Sequence, residues 1–534
     1  HRYATTTGDY QDALVQGWAG ESVVFCVASA TAETPRVDLS SNLGKLNFCE
    51  APRTGVSPRT GQAYPDVQGV RQDEKDYIQA WVDRSYLWYR EVPNPSTNDG
   101  ESVASYFAKL KSPAIAVAGG LKDRFSGTTS TASVDNTNAG VVFGYGITWS
   151  AQSTIPPRRF VASVVSPNSP AAIAGVRRGD SIVSIDGADF VFGNNVSTLN
   201  RGLSPPVVGE SHTFVLQPAD GSANNTVVLQ SASLPLVSVP VSGVVNTPTG
   251  KVGYIAFTTF NSFTAEKAIA DAVAGLAPQG ISDLVLDLRY NGGGYVYISA
   301  QTGYMIAGPS RTNGKAFETT KSNDKKPFGP DDVYPFYNAG SGFPGGVASG
   351  ASLPTLNLPR VFILTTSQSC SASESLINGL RGIDVEVILI GGNTCGKPYG
   401  FIGRDNCGTT YYPIQFTGVN HKNEGDFITG FAARCAASDD LTKSLGDPTE
   451  RMLATALNFR QTGTCGAAAS ATELPTLKAS DRDAFNNGLA DFPSLQAQSL
   501  KLLVPGDTRR DGNGVITPRV PLDLEQTFGA SRAR

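Results

Sequence analysis

Histidine is nearly missing from this chain: there are three, at positions 1, 212 and 421, in 534 residues. A Ser–His hydrolytic mechanism therefore has few places to come from. Long apolar runs are missing too, since none approaches the ~18–20 residues a membrane-spanning helix needs. Neither sign of charge is in excess. With 43 Lys+Arg against 47 Asp+Glu the net charge is −4, which offers no electrostatic case for nucleic acid or an acidic membrane as partner. There are seven cysteines, and those in the last third of the chain sit in loops with no metal-ligand spacing and no nearby histidine, which argues against a structural zinc. What is abundant is punctuation. With 57 Gly, 33 Pro and 40% hydrophobic residues, the composition describes a loop-rich globular chain long enough for two to four domains.

The cysteines are Cys26, Cys49, Cys370, Cys395, Cys407, Cys435 and Cys465. Disulfides suit them better than metal, which points to an oxidising compartment. Pairing of sequence neighbours gives Cys26–Cys49, Cys395–Cys407 and Cys435–Cys465, with Cys370 free. The start, His1-Arg2-Tyr3-Ala4-Thr5, does not read as a signal peptide, and beginning at His rather than Met favours a processed or trimmed chain.

Along the chain, residues 1–72 form an irregular lead-in. Residues 73–138 read as a helical segment: Ile78, Trp81, Val82, Tyr86 and Tyr89 recur at three-to-four spacing, and Val103, Phe107 and Leu110 line a second helix over Glu101 to Lys111. Residues 139–240 change to short β runs. Val161 to Val165 is a strand, Ser169 to Gly175 a short helix ended by Gly, and Asp180 to Gly187 a strand leading into an Asp-Gly turn. This order resembles a PDZ domain. Gly144-Tyr145-Gly146-Ile147 sits where that family has its carboxylate-binding loop, beside a strand edge to which a peptide can add.

Residues 241–465 read as an α/β core. Strand Val252–Phe257, helix Thr264–Leu276 and strand Leu284–Leu288 form one unit. Strand Val361–Leu364, a helix from about Ala372 and strand Val385–Ile390 form another. Near-continuous apolar strands suit a parallel sheet covered on both faces. The long loop 308–357 is expected to be functional or mobile. Asp447-Pro448-Thr449-Glu450 reads as a helix start with Asp447 as its cap. Residues 466–534 read as a partly ordered tail, in which Asp511-Gly512-Asn513-Gly514 is a turn, not a calcium loop.

Two stretches about eighty residues apart carry the chemistry: Asp287-Leu288-Arg289-Tyr290-Asn291-Gly292-Gly293-Gly294 and Ser369-Cys370-Ser371-Ala372-Ser373-Glu374, with Lys397 twenty-six residues after Ser371. All follow carboxyl ends of expected parallel strands, the edge where open α/β sheets place their crevice. Ser371 is a possible nucleophile at a helix start, where Ala372 N–H can face a developing oxyanion. Gly293 or Gly294 can supply a second N–H. Lys397, flanked by Gly396, Pro398, Tyr399 and Phe401, suits a desolvated amine that acts as base. Ser373 and Glu374 read as residues of the helix start. His421 is the rival base, although it and His212 read better as surface histidines.

Together Val252-Gly253-Tyr254-Ile255, the Asp287–Gly294 stretch, Ser371-Ala372-Ser373-Glu374 and Gly396-Lys397, behind a PDZ-like segment, resemble the C-terminal processing peptidases, or tail-specific proteases. The resemblance implies an α/β multidomain protein with a helical N-terminal region, a PDZ-like β domain and a protease core of the crotonase-like or ClpP-like type. It implies Ser371 as nucleophile, Lys397 as base, Ala372 and Gly293 as oxyanion donors, and Gly144, Tyr145, Gly146 and Ile147 as binders of a peptide carboxylate. It implies a protein or peptide substrate, an exported and bacterial setting, and no cofactor or metal. The chain departs from the family in two places. A Gln usual four residues after the Lys is Phe401 here, with Gln415 or Asn420 as substitutes. The usual Gly-Ile-x-Pro-Asp segment is replaced by Gly430-Phe431-Ala432-Ala433-Arg434-Cys435. The missing Gln keeps open a non-catalytic binding protein on the same fold, and oxyanion machinery alone also suits non-peptide esters or amides.

Overall fold

The structure, a computed structural model, describes residues 38–466 apart from 99, 117 and 118. Cys26, most of the lead-in and the Asp511–Gly514 turn lie outside the described residues.

The amphipathic stretch before position 90 forms helix α1 (Arg71–Ser85), which buries Ile78, Trp81 and Val82. Ser102 caps helix α2 (Val103–Lys109) by accepting from Ser105 N–H. Tyr106, Phe107 and Leu110 join Tyr86 and Tyr89 in one cluster, and Phe401, Tyr411 and Ile414 reach into it from the distant end of the chain.

Alternating burial then makes the PDZ sheet. Its strands are β1 (Ile147–Ser153) and β2 (Arg159–Val165), followed by helix α3 (Pro170–Ile173), β3 (Ser181–Ile185), helix α4 (Val196–Leu203), β4 (Ser211–Gln217) and β5 (Asn225–Gln230). The order β5-β4-β3-β2-β1 leaves β1 at the sheet edge, directly after the Gly144–Ile147 loop. Tyr145 is a core residue: it is buried and its hydroxyl donates to Gly202 O of α4 at 3.0 Å. A ligand at this loop is therefore met by backbone, not by the Tyr145 ring. His212, read as a surface residue, is instead buried between Asp186 and Glu210 at 2.5 and 3.0 Å.

The core sheet runs β6 (Val241–Thr247), β7 (Gly250–Ala256), helix α5 (Phe263–Leu276), β8 (Asp283–Asp287), helix α6 (Val296–Ala307), β9 (Arg360–Thr365), helix α7 (Ala372–Gly382), β10 (Glu386–Gly391), β11 (Cys435–Ala436) and helix α8 (Arg451–Thr462). Spatial order equals chain order, β6 to β11. β6 is antiparallel to β7 and every later pair is parallel. β8 is buried at all five positions, because helices α5, α6 and α7 cover one face while Met452, Leu453 and Ala456 of α8 pack on the other.

Three expectations need correction. Loop 308–357 is part of the core: it contributes strands Ala316–Ser322 and Asp332–Pro335, and buries Tyr334, Phe336, Tyr337 and Phe343. Glu266 of α5, 1% exposed, holds it by accepting from Ser341 N–H at 2.8 Å, Ser341 Oγ at 2.6 Å and Val347 N–H at 2.9 Å. Helix α8 begins later than Asp447, with Glu450 as its cap, because that carboxylate accepts from Leu453 N–H while it pairs with a buried arginine. The disulfides are Cys49–Cys407, Cys370–Cys395 and Cys435–Cys465. Only the last is one of the expected pairs, since the fold brings Cys49 against a hairpin 358 residues away and leaves Cys395 to its other neighbour, Cys370.

Candidate active site

The ends of β8, β9 and β10 bring the two motif stretches and Lys397 to one sheet edge. Side-chain and backbone bonds join them. Ser369 Oγ donates to Leu288 O at 2.8 Å, Ser373 Oγ to Asn291 O at 2.9 Å, and Cys370 N–H to Asn291 O at 3.1 Å. Ser371 stands at the start of α7 with φ 64°, the left-handed half of conformational space that a non-glycine residue enters only when its surroundings enforce it. Its hydroxyl is fully buried and has no hydrogen-bond partner.

Glu374, in the first turn of α7 and fully buried, holds the backbones of both Ser371 and Lys397. Its carboxylate accepts from Ser371 N–H at 2.9 Å, Lys397 N–H at 2.9 Å, Gly396 N–H at 2.8 Å and Thr394 Oγ1 at 2.6 Å. Burial lifts the pKa of this carboxyl, and those four donors pull against that. Sequence spacing suggested only a favourable dipole position for Glu374. The return of a loop twenty residues later to the same carboxylate has no local signature.

Lys397 is 3% exposed. Its Nζ lies 4.4 Å from the centre of the Phe401 ring and 5.3 Å from that of Phe125. Burial is the dominant influence and lowers its pKa to about 7, against upward pulls from Asp123 and Glu374. The position usual for Gln thus holds an apolar ring that desolvates the amine. Neither suggested substitute serves it. Gln415 accepts from Ile402 N–H and donates to Ser85, and Asn420 bonds Asn378 and Glu424. Asp123 and Phe125, about 270 residues before Lys397, went unseen in the sequence. Tyr86 holds Asp123 at 2.6 Å, so the helical segment supplies the lid over the amine. His421 is exposed and accepts from Ala316 N–H at 3.3 Å, away from these groups.

Ala372 N–H faces the Gly293 corner. A Cβ on Gly293 would lie 2.8 Å from Cys370 O, 2.8 Å from Ser371 Cβ and 3.0 Å from Ala372 N, at φ +106°. Gly293 N–H itself donates to Asn291 Oδ1 at 2.9 Å, so in this arrangement the glycine supplies room, with its own donor already engaged. Gly293→Ala is expected to fill that corner and cut turnover by at least ~10²-fold, the typical effect of losing an oxyanion donor. Steady-state kinetics beside an unchanged circular-dichroism spectrum check this, and near-normal turnover would contradict it.

Under the site lies a buried ion network. Arg289, 1% exposed, reaches Asp287 at 2.8 Å, Glu450 at 2.9 Å and Asp439 at 2.7 Å. Arg178 of the PDZ segment joins it through Asp439 at 2.5 Å and the Tyr290 hydroxyl at 2.5 Å. Gln368 Nε2, three residues before Ser371, also touches Ser150 of edge strand β1 at 3.3 Å.

Residues 251–400 match the model of peptidase family S41, and residues 161–194 that of the PDZ domain. A chloroplastic C-terminal processing peptidase of Tetradesmus obliquus is 31% identical over 256 residues, covering 43% of this chain and 53% of its own length. The carboxy-terminal processing protease CtpB of Bacillus subtilis is 34% identical over 137 residues, 25% of this chain and 27% of that protein. The chain spans about half the length of the curated relatives it matches. A Bacteroides fragilis structure described as an S41 protease shares the fold, with a TM-score of 0.56 at 22% identity, over 75% of this chain and 98% of that one. A PDZ match followed by an S41 match, with these relatives, makes this part of the chain similar to the C-terminal processing peptidases of family S41.

Proposed function

We propose that this protein is a serine endopeptidase in which Ser371 is the nucleophile and Lys397 the general base, acting on unfolded or C-terminally exposed proteins. The carrying observation is that one buried carboxylate, Glu374, holds the backbones of both Ser371 and Lys397 while the Lys397 amine is desolvated to a pKa of about 7. At neutral pH a large fraction of that amine is uncharged and able to take a proton. Ser371 Oγ attacks the scissile carbonyl carbon and its proton passes to Lys397 Nζ. Ala372 N–H, at the positive end of α7, stabilises the oxyanion, and Gly293 N–H joins it on exchanging Asn291 for the substrate. Collapse of the intermediate breaks the C–N bond, the Lys397 ammonium protonates the leaving amine, and water then hydrolyses the acyl-Ser371 ester by the reverse relay.

No hydrogen bond joins Ser371 Oγ to Lys397 Nζ in this closed arrangement. The reaction needs them within ~2.6–3.2 Å, a contact that unliganded sites often tighten only on binding substrate. With both groups buried, substrate enters only when the cover from the Asp123–Phe125 segment or the PDZ strand edge moves aside. The Gly144–Ile147 loop and β1 are the natural place for a substrate carboxyl terminus. Three disulfides and chloroplastic relatives support an oxidising compartment outside the cytosol.

The test is hydrolysis of unstructured peptides with free and with amidated carboxyl termini, across pH. Lys397 must be neutral to act. Activity is therefore expected to fall about tenfold per pH unit below ~7 and to level off above it. Hydrolysis that is flat from pH 5 to 9 would remove Lys397 as base. The open Ser371–Lys397 contact favours the second reading, a binding protein on the same fold. Peptide binding without cleavage under all conditions would support that reading instead.

A further inference from the structure

We infer that the Cys370–Cys395 disulfide is a thiol-exchange site that arms the catalytic pair: a dithiol reductant that opens it switches the peptidase off, and reoxidation restores it. This inference rests on the Ser371–Lys397 reading.

The bond occupies a particular place. Cys370 directly precedes Ser371, and Cys395 lies two residues before Lys397, so one covalent link ties the nucleophile's turn to the base's loop. The other two disulfides each carry one deeply buried residue, Cys49 at 0% and Cys435 at 1% exposure. Both residues of Cys370–Cys395 are partly exposed, within reach of an attacking thiolate.

A second observation gives the switch its direction. Cys395 Sγ lies 3.3 Å from Glu374 Oε2, the same oxygen that accepts the Ser371 and Lys397 N–H groups. A disulfide sulfur carries no hydrogen, so in the oxidised protein that oxygen is left to those two amides. After reduction the sulfur is a thiol donor competing for the same oxygen, or a thiolate repelling it. Either loosens the clamp while the covalent tie is gone. Ser371, held at φ 64°, has the least reason to keep its conformation once its surroundings relax.

The chemistry balances with one co-reactant, a dithiol. Its thiolate attacks one sulfur of the pair. The S–S bond breaks and the other cysteine leaves with the electron pair as a thiolate, taking up a proton at neutral pH. The reductant's second thiol then resolves the mixed disulfide. Two electrons pass to the protein, and the reductant leaves as its own disulfide. In biological terms, the protein stays unarmed among reducing thiols and becomes a peptidase in an oxidising compartment.

The experiment uses the full chain and dithiothreitol as the dithiol. Ser371 labelling by a serine-reactive phosphonate is timed while alkylation mass spectrometry reports which cysteines are free. The expected result is a labelling rate at least tenfold lower once Cys370 and Cys395 become alkylatable, with the melting transition retained and the rate restored on reoxidation. The Cys370→Ala/Cys395→Ala variant should carry the low rate permanently and ignore dithiothreitol. Equal labelling in oxidised and reduced wild type, or a variant as fast as the oxidised protein, overturns this inference alone. Absence of labelling in every state overturns the Ser371–Lys397 reading, and this inference with it.

Discussion

On the proposed mechanism, alanine in place of Ser371 is expected to abolish peptide hydrolysis, and methionine in place of Lys397 to do the same. Each should reduce kcat by ~10⁴-fold or more, and the double variant should be no worse than either single one, because the two act as a unit. Neither change should unfold the protein. The Ser371 hydroxyl is buried without a partner, so its loss strands no other group. Lys397 is more informative. In the unfolded chain a lysine titrates near 10.4, whereas here it titrates at about 7. Between those values the unfolded state binds more protons, so burial of this amine works against folding. The penalty is fully felt below pH 7 and fades as pH rises toward ~10.4. Lys397→Met, which keeps the volume between Phe125 and Phe401, is thus expected to be more stable than wild type, by up to ~4–5 kcal/mol at or below pH 7 and by almost nothing above pH ~10.4. Denaturant titration at two pH values checks the sign. A variant less stable at pH 6 would show that the amine is solvated.

The largest loss of stability is expected at Arg289. It is 1% exposed and is the shared counter-ion of Asp287, Glu450 and Asp439, while Tyr254 adds a hydrogen bond to Asp287 at 2.7 Å. Burial would lower the Arg289 pKa, yet the three carboxylates hold it well above its ordinary value. Arg289→Met leaves the buried Asp287 and Glu450 and the part-buried Asp439 facing one another, with Arg178 still paired to Asp439. Breaking such a pair from one side typically costs 3–5 kcal/mol. The loss should be larger at pH 7 than at pH 4.5, because Asp439, which burial pushes up but Arg178 and Arg289 hold below its ordinary value, loses one of those two cations. It should also reach the site, since Asn291 and Gly293 follow Arg289 within four residues and contact Cys370 and Ser371. A variant that melts like wild type at pH 7 would contradict this account of the network.

Local pattern carried a good deal of this. The strand–helix–strand units were legible because β8 and β9 are unbroken apolar runs that only a doubly covered sheet can bury. The PDZ segment was legible from turn chemistry, with Ser169 capping α3 and Gly187 closing the turn after β3. Placement of Ser371 and Lys397 at one sheet edge followed from strand direction. What could not be read was every contact made across long sequence separation. Asp123 and Phe125 sit over Lys397 because α1 and α2 dock on the Phe401–Ile414 region, a tertiary event without periodicity. Cys370 looked spare because neighbour pairing takes Cys395 for Cys407, while the fold offers Cys407 to Cys49. Glu450 displaced Asp447 as helix cap because Arg289, 161 residues earlier, draws its carboxylate inward. Loop 308–357 lost its expected mobility to Glu266, an acid that reads as an ordinary member of an amphipathic helix.

The central claim is that a neutral, buried Lys397 activates Ser371. The most direct measurement is the rate at which a serine-reactive phosphonate modifies the oxidised protein between pH 5 and 9, with the modified residue identified by peptide mapping, in wild type and in Lys397→Met. The account predicts a rate that climbs through pH ~7 with a single labelled residue, Ser371, and no labelling in the variant. A rate indifferent to pH that survives in Lys397→Met, or a label on any other serine, would contradict it.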